Sequence, residues 1–280
     1  MQLSTFGKKF SLPVDPFCLR VLKLSDPNIK FVIEGRKLLC DESTIELVFV
    51  LGDVGWSDGL QTSKQVLDEL STPYIPVIGD NEVHYGDEQN FGTTFGPQYS
   101  LLSQQFSDWN MNGAAVWNPE EEELSWFTNF ALSYKDLRLI TLDWAARTEA
   151  PILSEMGDLH DFEGGTWSFF ESEINSLTDQ KENSVLLLSH IPMYLTPGGF
   201  DVAETERVVG LTNAYSELLY ANFSGHFHLN AEVELEDGGF EVFVTDAIWD
   251  DEITIRMVEV WQNDHRVDYV QELIELEFIQ

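Results

Sequence analysis

A chain of 280 residues with 43% hydrophobic content can bury a full core, which excludes disorder as its resting state and allows one large α/β domain. Its 49 acidic residues against 15 basic ones give a formal charge of −34, which excludes a long nucleic acid as partner because polyphosphate binding depends on lysine and arginine. No run approaches the roughly eighteen apolar residues of a membrane helix, and the N-terminus lacks the charged-then-apolar layout of a signal peptide; a soluble chain, cytoplasmic or exported after trimming, is expected.

In chain order, Arg20 to Ser25 and Glu46 to Leu51 read as buried strands. Val66, Leu67 and Leu70 mark a helix, and Tyr74 to Ile78 a third strand. From about Gly86 to Asp136 the pattern breaks into a segment rich in aromatics (Phe91, Phe95, Tyr99, Phe106, Trp109, Trp117, Trp126, Phe127) with the acidic run Glu120 to Glu123. This segment reads either as a cap-like insertion that shapes a substrate site or as a satellite core under a long loop. Strands return at Leu137 to Leu142, Val185 to Ser189 and Tyr220 to Ser224, with a helix between them marked by Trp167, Phe170, Ile174 and Leu177. Alternation over Phe240 to Val270 predicts a closing antiparallel section. The expectation is one α/β domain over residues 1–280, interrupted at about 86–136.

The polar residues are placed tellingly against these strands. Asp26, Asp53, Asp80 with Asn81, and His190 each follow an apolar run at once, and Tyr220 to Gly225 runs into His226 and His228. Strand ends of an α/β sheet converge on one edge, so these groups can meet in space although far apart in sequence. Taken singly, a Gly-Asp after a strand is a turn and a His after one is a structural residue. Five in order point instead to a metal site. Carboxylate, amide and imidazole ligands without thiolate suit manganese, iron or zinc.

The ordered blocks Asp26-Pro27-Asn28, Gly52-Asp53-Val54-Gly55, Gly79-Asp80-Asn81-Glu82, Leu188-Ser189-His190-Ile191-Pro192 and Gly225-His226-Phe227-His228 resemble the calcineurin-like metallophosphoesterase family, from about Arg20 to Asn230. The resemblance implies a four-layer α/β/β/α sandwich holding two metal ions at the strand ends. It makes Asp53 the bridging carboxylate, gives Asp26, Asn28 and His228 to the first ion, and gives His190, His226 and an oxygen of the Asp80-Asn81 turn to the second. The implied reaction is hydrolysis of a phosphate mono- or diester of a small molecule by a solvent oxygen shared between the ions. His84, Glu82 or a metal-bound water then stands as the source of the leaving-group proton.

Two blocks depart from the family pattern. Asn28 stands where histidine is usual, and Asp80-Asn81 replaces an Asn-His pair, leaving open whether Asp80 or Asn81 is the ligand. These departures keep a second reading in view, a degenerate member that binds metal or a phosphorylated ligand without efficient turnover. Arg147, after the Leu137 to Leu142 strand, reads either as a phosphate contact or as the partner of a surface acid.

The remaining expectations concern the surface and the thiols. The net charge predicts self-repulsion relieved by salt, from either a heavily solvated surface or a salt-adapted source. Cys18 and Cys40 lack paired zinc spacing and stand as one disulfide or two free thiols.

Overall fold

The computed structural model describes residues 17–24, 46–55, 58–70, 72–84, 88–134, 136–148, 156–177, 184–194, 199–235, 240–247, 254–262 and 267–275. Asp26, Asn28, Trp56 and Cys40 lie outside them.

Continuous apolar runs form the middle of two sheets. In the first half come β1 (Phe17–Leu24), β2 (Leu47–Leu51), α1 (Asp58–Leu67), β3 (Tyr74–Val77), α2 (Asp80–His84), α3 (Glu88–Gln105), β4 (Ser107–Asn112), β5 (Ala115–Asn118), β6 (Glu123–Trp126) and β7 (Asn129–Tyr134). The second half supplies β8 (Leu137–Leu142), α4 (Thr166–Ser176), β9 (Val185–Ser189), α5 (Val202–Ala214), β10 (Leu219–Ser224), β11 (Ala231–Glu234), β12 (Glu241–Val244), β13 (Thr254–Gln262) and β14 (Val267–Glu275). One sheet has the order β14-β13-β1-β2-β3 and the other β11-β12-β10-β9-β8-β7-β4, while β5 and β6 pair as a separate hairpin. The two sheets share one hydrophobic core and helices cover them, giving the four-layer α/β/β/α arrangement.

Every residue of β2, β3, β8 and β9 is buried, the composition of strands covered on both faces. β1, β2 and β3 run parallel, as do β8, β9, β10 and β12. Their C-terminal ends deliver Asp53, Asp80, His190 and His226 to the loops.

The tail divides between the sheets. β13 and β14 are antiparallel, as the alternation implies, but β12 lies parallel to β10 and antiparallel to β11. α1 begins eight residues before Val66, because its buried face is Leu60, Ser63 and Leu67, and the Ser63 hydroxyl satisfies itself on Val54 O.

Within 86–136, α3 packs on α1, β3 and β4 and so spans the edges of both sheets. Phe91, Phe95 and Tyr99 are buried in the main core, Tyr99 Oη donates to Pro76 O at 3.1 Å, and Gln98 Nε2 donates to Tyr74 O at 2.6 Å. Further along, Arg138 of β8 and Glu173 of α4 form a buried ion pair, joined by Asn110 of β4. Glu173→Ala leaves the guanidinium buried and unpaired; urea unfolding is expected to show a loss of about 3 kcal/mol or more.

Candidate metal centre

The turn after β2 is shaped by close approach. Gly52 has φ 87°, and a Cβ there would sit 2.4 Å from His190 Nδ1, so any other residue would displace the imidazole. His190 Nδ1 lies 2.6 Å from Leu51 O. A carbonyl only accepts, so Nδ1 carries the hydrogen, and Nε2 is the nitrogen that takes either a proton or, with its lone pair free, a cation. That Nε2 is buried 2.8 Å from Asp80 Oδ1 and 3.3 Å from Asp53 Oδ2, yet lacks an aligned hydrogen-bond partner. An imidazole fixed by a backbone carbonyl, with its other nitrogen aimed among carboxylates, has the arrangement a metal ligand requires.

Charge at this point is concentrated. Burial opposes protonation of His190, but the Asp53 and Asp80 carboxylates outweigh it and raise its pKa well above the usual value. Burial likewise raises the Asp80 carboxyl, and hydrogen bonding and charge from His190 and His226 overcome that to hold it below the ordinary range. The cluster is a small volume of negative potential that takes up positive charge, whether a proton or a cation.

Glu82 locks two turns together. It is fully buried; Oε2 accepts from Gly79 N at 2.7 Å and Asp53 N at 3.1 Å, and Oε1 accepts from Gly55 N at 3.0 Å. Burial and then the Asp53 carboxylate push Glu82 up to about 8, against the pull of the Gly55 and Gly79 amides. With both oxygens on main-chain amides, Glu82 acts as a brace for the Asp53 turn and is not placed to protonate a leaving group. The spacing carries a signal: Glu82 reaches back to the residue before α2 as the third-position acid of a capping box does.

The Asp80-Asn81 register is read from contacts. Asp80 Oδ1 faces His190 and His226, whereas Asn81 donates its backbone N–H to Asp53 Oδ1 at 3.1 Å and its side-chain amide to Asp53 Oδ2 at 2.7 Å. Asn81 therefore orients Asp53, a role not visible from its position in the sequence.

After β10, Gly225 N donates to His190 O and Phe227 N to Gly225 O, both at 3.0 Å, which folds the loop onto His190. The left-handed backbone falls on His226 (φ 74°) and His228 (φ 49°) rather than on Gly225, a strained conformation for both histidines. His226 Nδ1 lies 3.0 Å from Asp80 Oδ1, and its ring meets His190 edge-on with centroids 5.1 Å apart. The ligand atoms of Asp80, His190 and His226 all fall within 4.8 Å of one another, with Asp53 adjoining. This donor set fits a borderline divalent ion such as manganese, iron or zinc.

His228 is exposed and stands outside this cluster, and His84 is exposed at the end of α2. Arg147 corrects both readings given to it. It is buried against a buried acid: Nη2 lies 2.6 Å from Asp143 Oδ2 and donates to Trp126 O at 2.8 Å, so it reaches neither a phosphate nor a surface carboxylate.

No family model and no curated protein matches the chain. Among solved structures it is similar to a candidate 5′-nucleotidase from Staphylococcus aureus in complex with α-ketoglutarate (TM-score 0.54, 12% identity, 94% of this chain), and it spans 55% of that structure's length. It also aligns with the sulfate thiohydrolase SoxB from Thermus thermophilus (TM-score 0.49, 11% identity, 95% of this chain and 58% of that one). A third match is the phosphopantetheinyl hydrolase PptH from Mycobacterium tuberculosis (TM-score 0.43, 12% identity, 81% and 89%). With two layered sheets, parallel strands ending in the ordered blocks and the likeness at TM-score 0.54, the chain has the fold of the calcineurin-like metallophosphoesterases.

Proposed function

We propose that this chain is a metal-dependent hydrolase acting on a phosphate ester of a small molecule. The observation that carries the reading is the meeting of Asp53, Asp80, His190 and His226 at four parallel strand ends, with the lone-pair nitrogen of His190 aimed among the carboxylates. Asp80, His190 and His226 would hold one ion, with Asp53, steered by Asn81 and braced by Glu82, beside them. Asp26, Asn28 and His228 would be the further ligands for a second ion, as the family resemblance implies. When bound, two divalent ions supply Lewis acidity for the phosphoryl oxygens and lower the pKa of the attacking water. The protein supplies fixed charge and a dry floor, since Asp53, Asp80 and His190 are each at most 5% exposed.

Leaving-group protonation is assigned to His84, the exposed imidazole at the end of α2, the helix that Asp80 opens. Removing it by His84→Ala is expected to lower turnover by about 10²-fold while metal content, measured by elemental analysis, is unchanged. The 86–136 segment is not a cap, since α3 packs in the main core and β4 and β7 are strands of the seven-stranded sheet. Substrate choice is assigned to the β5–β6 hairpin, which sets the exposed side chains of Trp117 and Leu124 opposite one another, an apolar pair available to an organic leaving group.

The reading is tested with chelator-treated protein reloaded with manganese, nickel or zinc and assayed on chromogenic phosphate mono- and diesters. Turnover that depends on the added metal, with two equivalents bound at the strand-end centre, supports it. One equivalent or none, without turnover, replaces the enzyme with a binder of the same fold.

A further inference from the structure

A second group of ligating side chains lies on the segment that follows β8, and it shares no residue with the strand-end centre. Asp158 N donates to Trp144 O at 2.8 Å and Ala146 N donates to Met156 O at 3.1 Å, which ties residues 156–158 back along 144–146. The next turn carries His160, fully buried with φ 49°, against the rings of Phe127 and Phe162. Its Nε2 sits 2.9 Å from Ala145 O and therefore carries the hydrogen, leaving the lone pair of a neutral ring at Nδ1. Nδ1 is buried without a hydrogen-bond partner and faces Asp158 Oδ1 at 3.6 Å, too far for a hydrogen bond.

Glu120, in the turn between β5 and β6, completes the group. One ligand atom from each of Glu120, Asp158 and His160 lies within 4.8 Å of the others. Asp158 Oδ1 also accepts from His160 N at 2.7 Å, which fixes that carboxylate. Nearby, Glu204 accepts from Leu159 N and from Asp201 N, each at 3.0 Å, and adds a further negative charge. The bland alternative is a protonated His160 paired with Asp158. The geometry disfavours it, since a protonated Nδ1 would draw Asp158 Oδ1 into a hydrogen bond, whereas the two atoms stand 3.6 Å apart. Two carboxyl groups beside a buried, unpartnered imidazole nitrogen suit a cation.

We propose that Glu120, Asp158 and Nδ1 of His160 form a second site for a divalent transition-metal ion, one that pins the β5–β6 hairpin to the segment after β8. The imidazole ligand selects a zinc-like ion over calcium or magnesium, which prefer oxygen alone. The role is structural, as the hairpin hydrogen-bonds to neither main sheet.

The test uses the full chain labelled with 15N-histidine, freed of metal by chelation and titrated with zinc chloride while the imidazole nitrogens are followed by NMR. His160 Nδ1 is expected to move saturably to the metal-bound range, with no such change on adding calcium. Glu120→Gln, at an exposed position, is expected to weaken the zinc response of His160 at least about tenfold while the responses of His190 and His226 stay as in the parent chain. Asp158→Asn gives a second reading of the same loss. A His160 Nδ1 that is protonated, that ignores millimolar zinc, or that responds equally with and without Glu120 overturns the proposal.

Discussion

Asp53→Asn is expected to remove metal-dependent hydrolysis by on the order of 10³-fold or more, together with bound metal. The change conserves volume, so the close approach of Gly79 to this side chain is undisturbed. What it removes is charge and acceptor capacity. Both Asp53 oxygens accept from Asn81, and an amide NH2 in place of Oδ2 would face the NH2 of Asn81, donor against donor. Rotating the new amide turns the mismatch toward the backbone N–H of Asn81 instead. Either way the carboxylate proposed to serve both ions becomes neutral and misaligned. Elemental analysis and steady-state kinetics on a chromogenic ester check this, with thermal melting to establish folding; full manganese-dependent turnover in a folded Asp53→Asn chain would end the proposed mechanism.

Gly79→Ala is expected to cost about 3 kcal/mol or more of stability, and activity with it. A Cβ at residue 79 would lie 2.2 Å from Asp53 Oδ1, 2.4 Å from Asp53 N and 2.9 Å from Glu82 Oε2. Two of these atoms belong to Asp53 and the third to its brace, so nothing in the neighbourhood is a flexible side-chain end free to retreat. The same substitution at Gly92, where nothing lies within 4 Å, replaces a poor helix former in α3 and is expected to stabilise by about 0.5–1 kcal/mol. Urea denaturation of the two variants separates a local collision from a general effect of adding a methyl group.

The strands around the centre were legible because burial on both faces writes itself into sequence as an unbroken apolar run. Val185 to Ser189 and Leu137 to Leu142 match their strands residue for residue, and β2 and β3 differ by one residue at an end. The start of α1 was not legible, since Ser63 occupies a core position that hydrophobic periodicity cannot register. Nor was the partner of β12: alternation specifies a half-buried strand but says nothing about which neighbour it joins. At the centre, the type and order of the residues that cluster, Asp53, Asp80, His190 and His226, could be read because each follows a strand. Orientation could not. Whether Asn81 or Asp80 faces the histidines, and that Glu82 and Arg147 are spent on buried partners, depends on backbone brought together from distant segments.

Helix α3 has a bearing on solubility through the two strands it spans. β3 and β4 close the same flank of their respective sheets, and each would otherwise offer a row of unsatisfied peptide groups to a passing chain. Gln98 and Tyr99 occupy carbonyls of β3 that such a chain would use. On the opposite flank, no helix among the described residues covers the outer strands β11 and β14 in this way, and they carry Glu232, Glu234 and Glu272. Like charges brought face to face deter strand addition there, so a helix and an acidic border protect the two ends of the sandwich from self-association by different means.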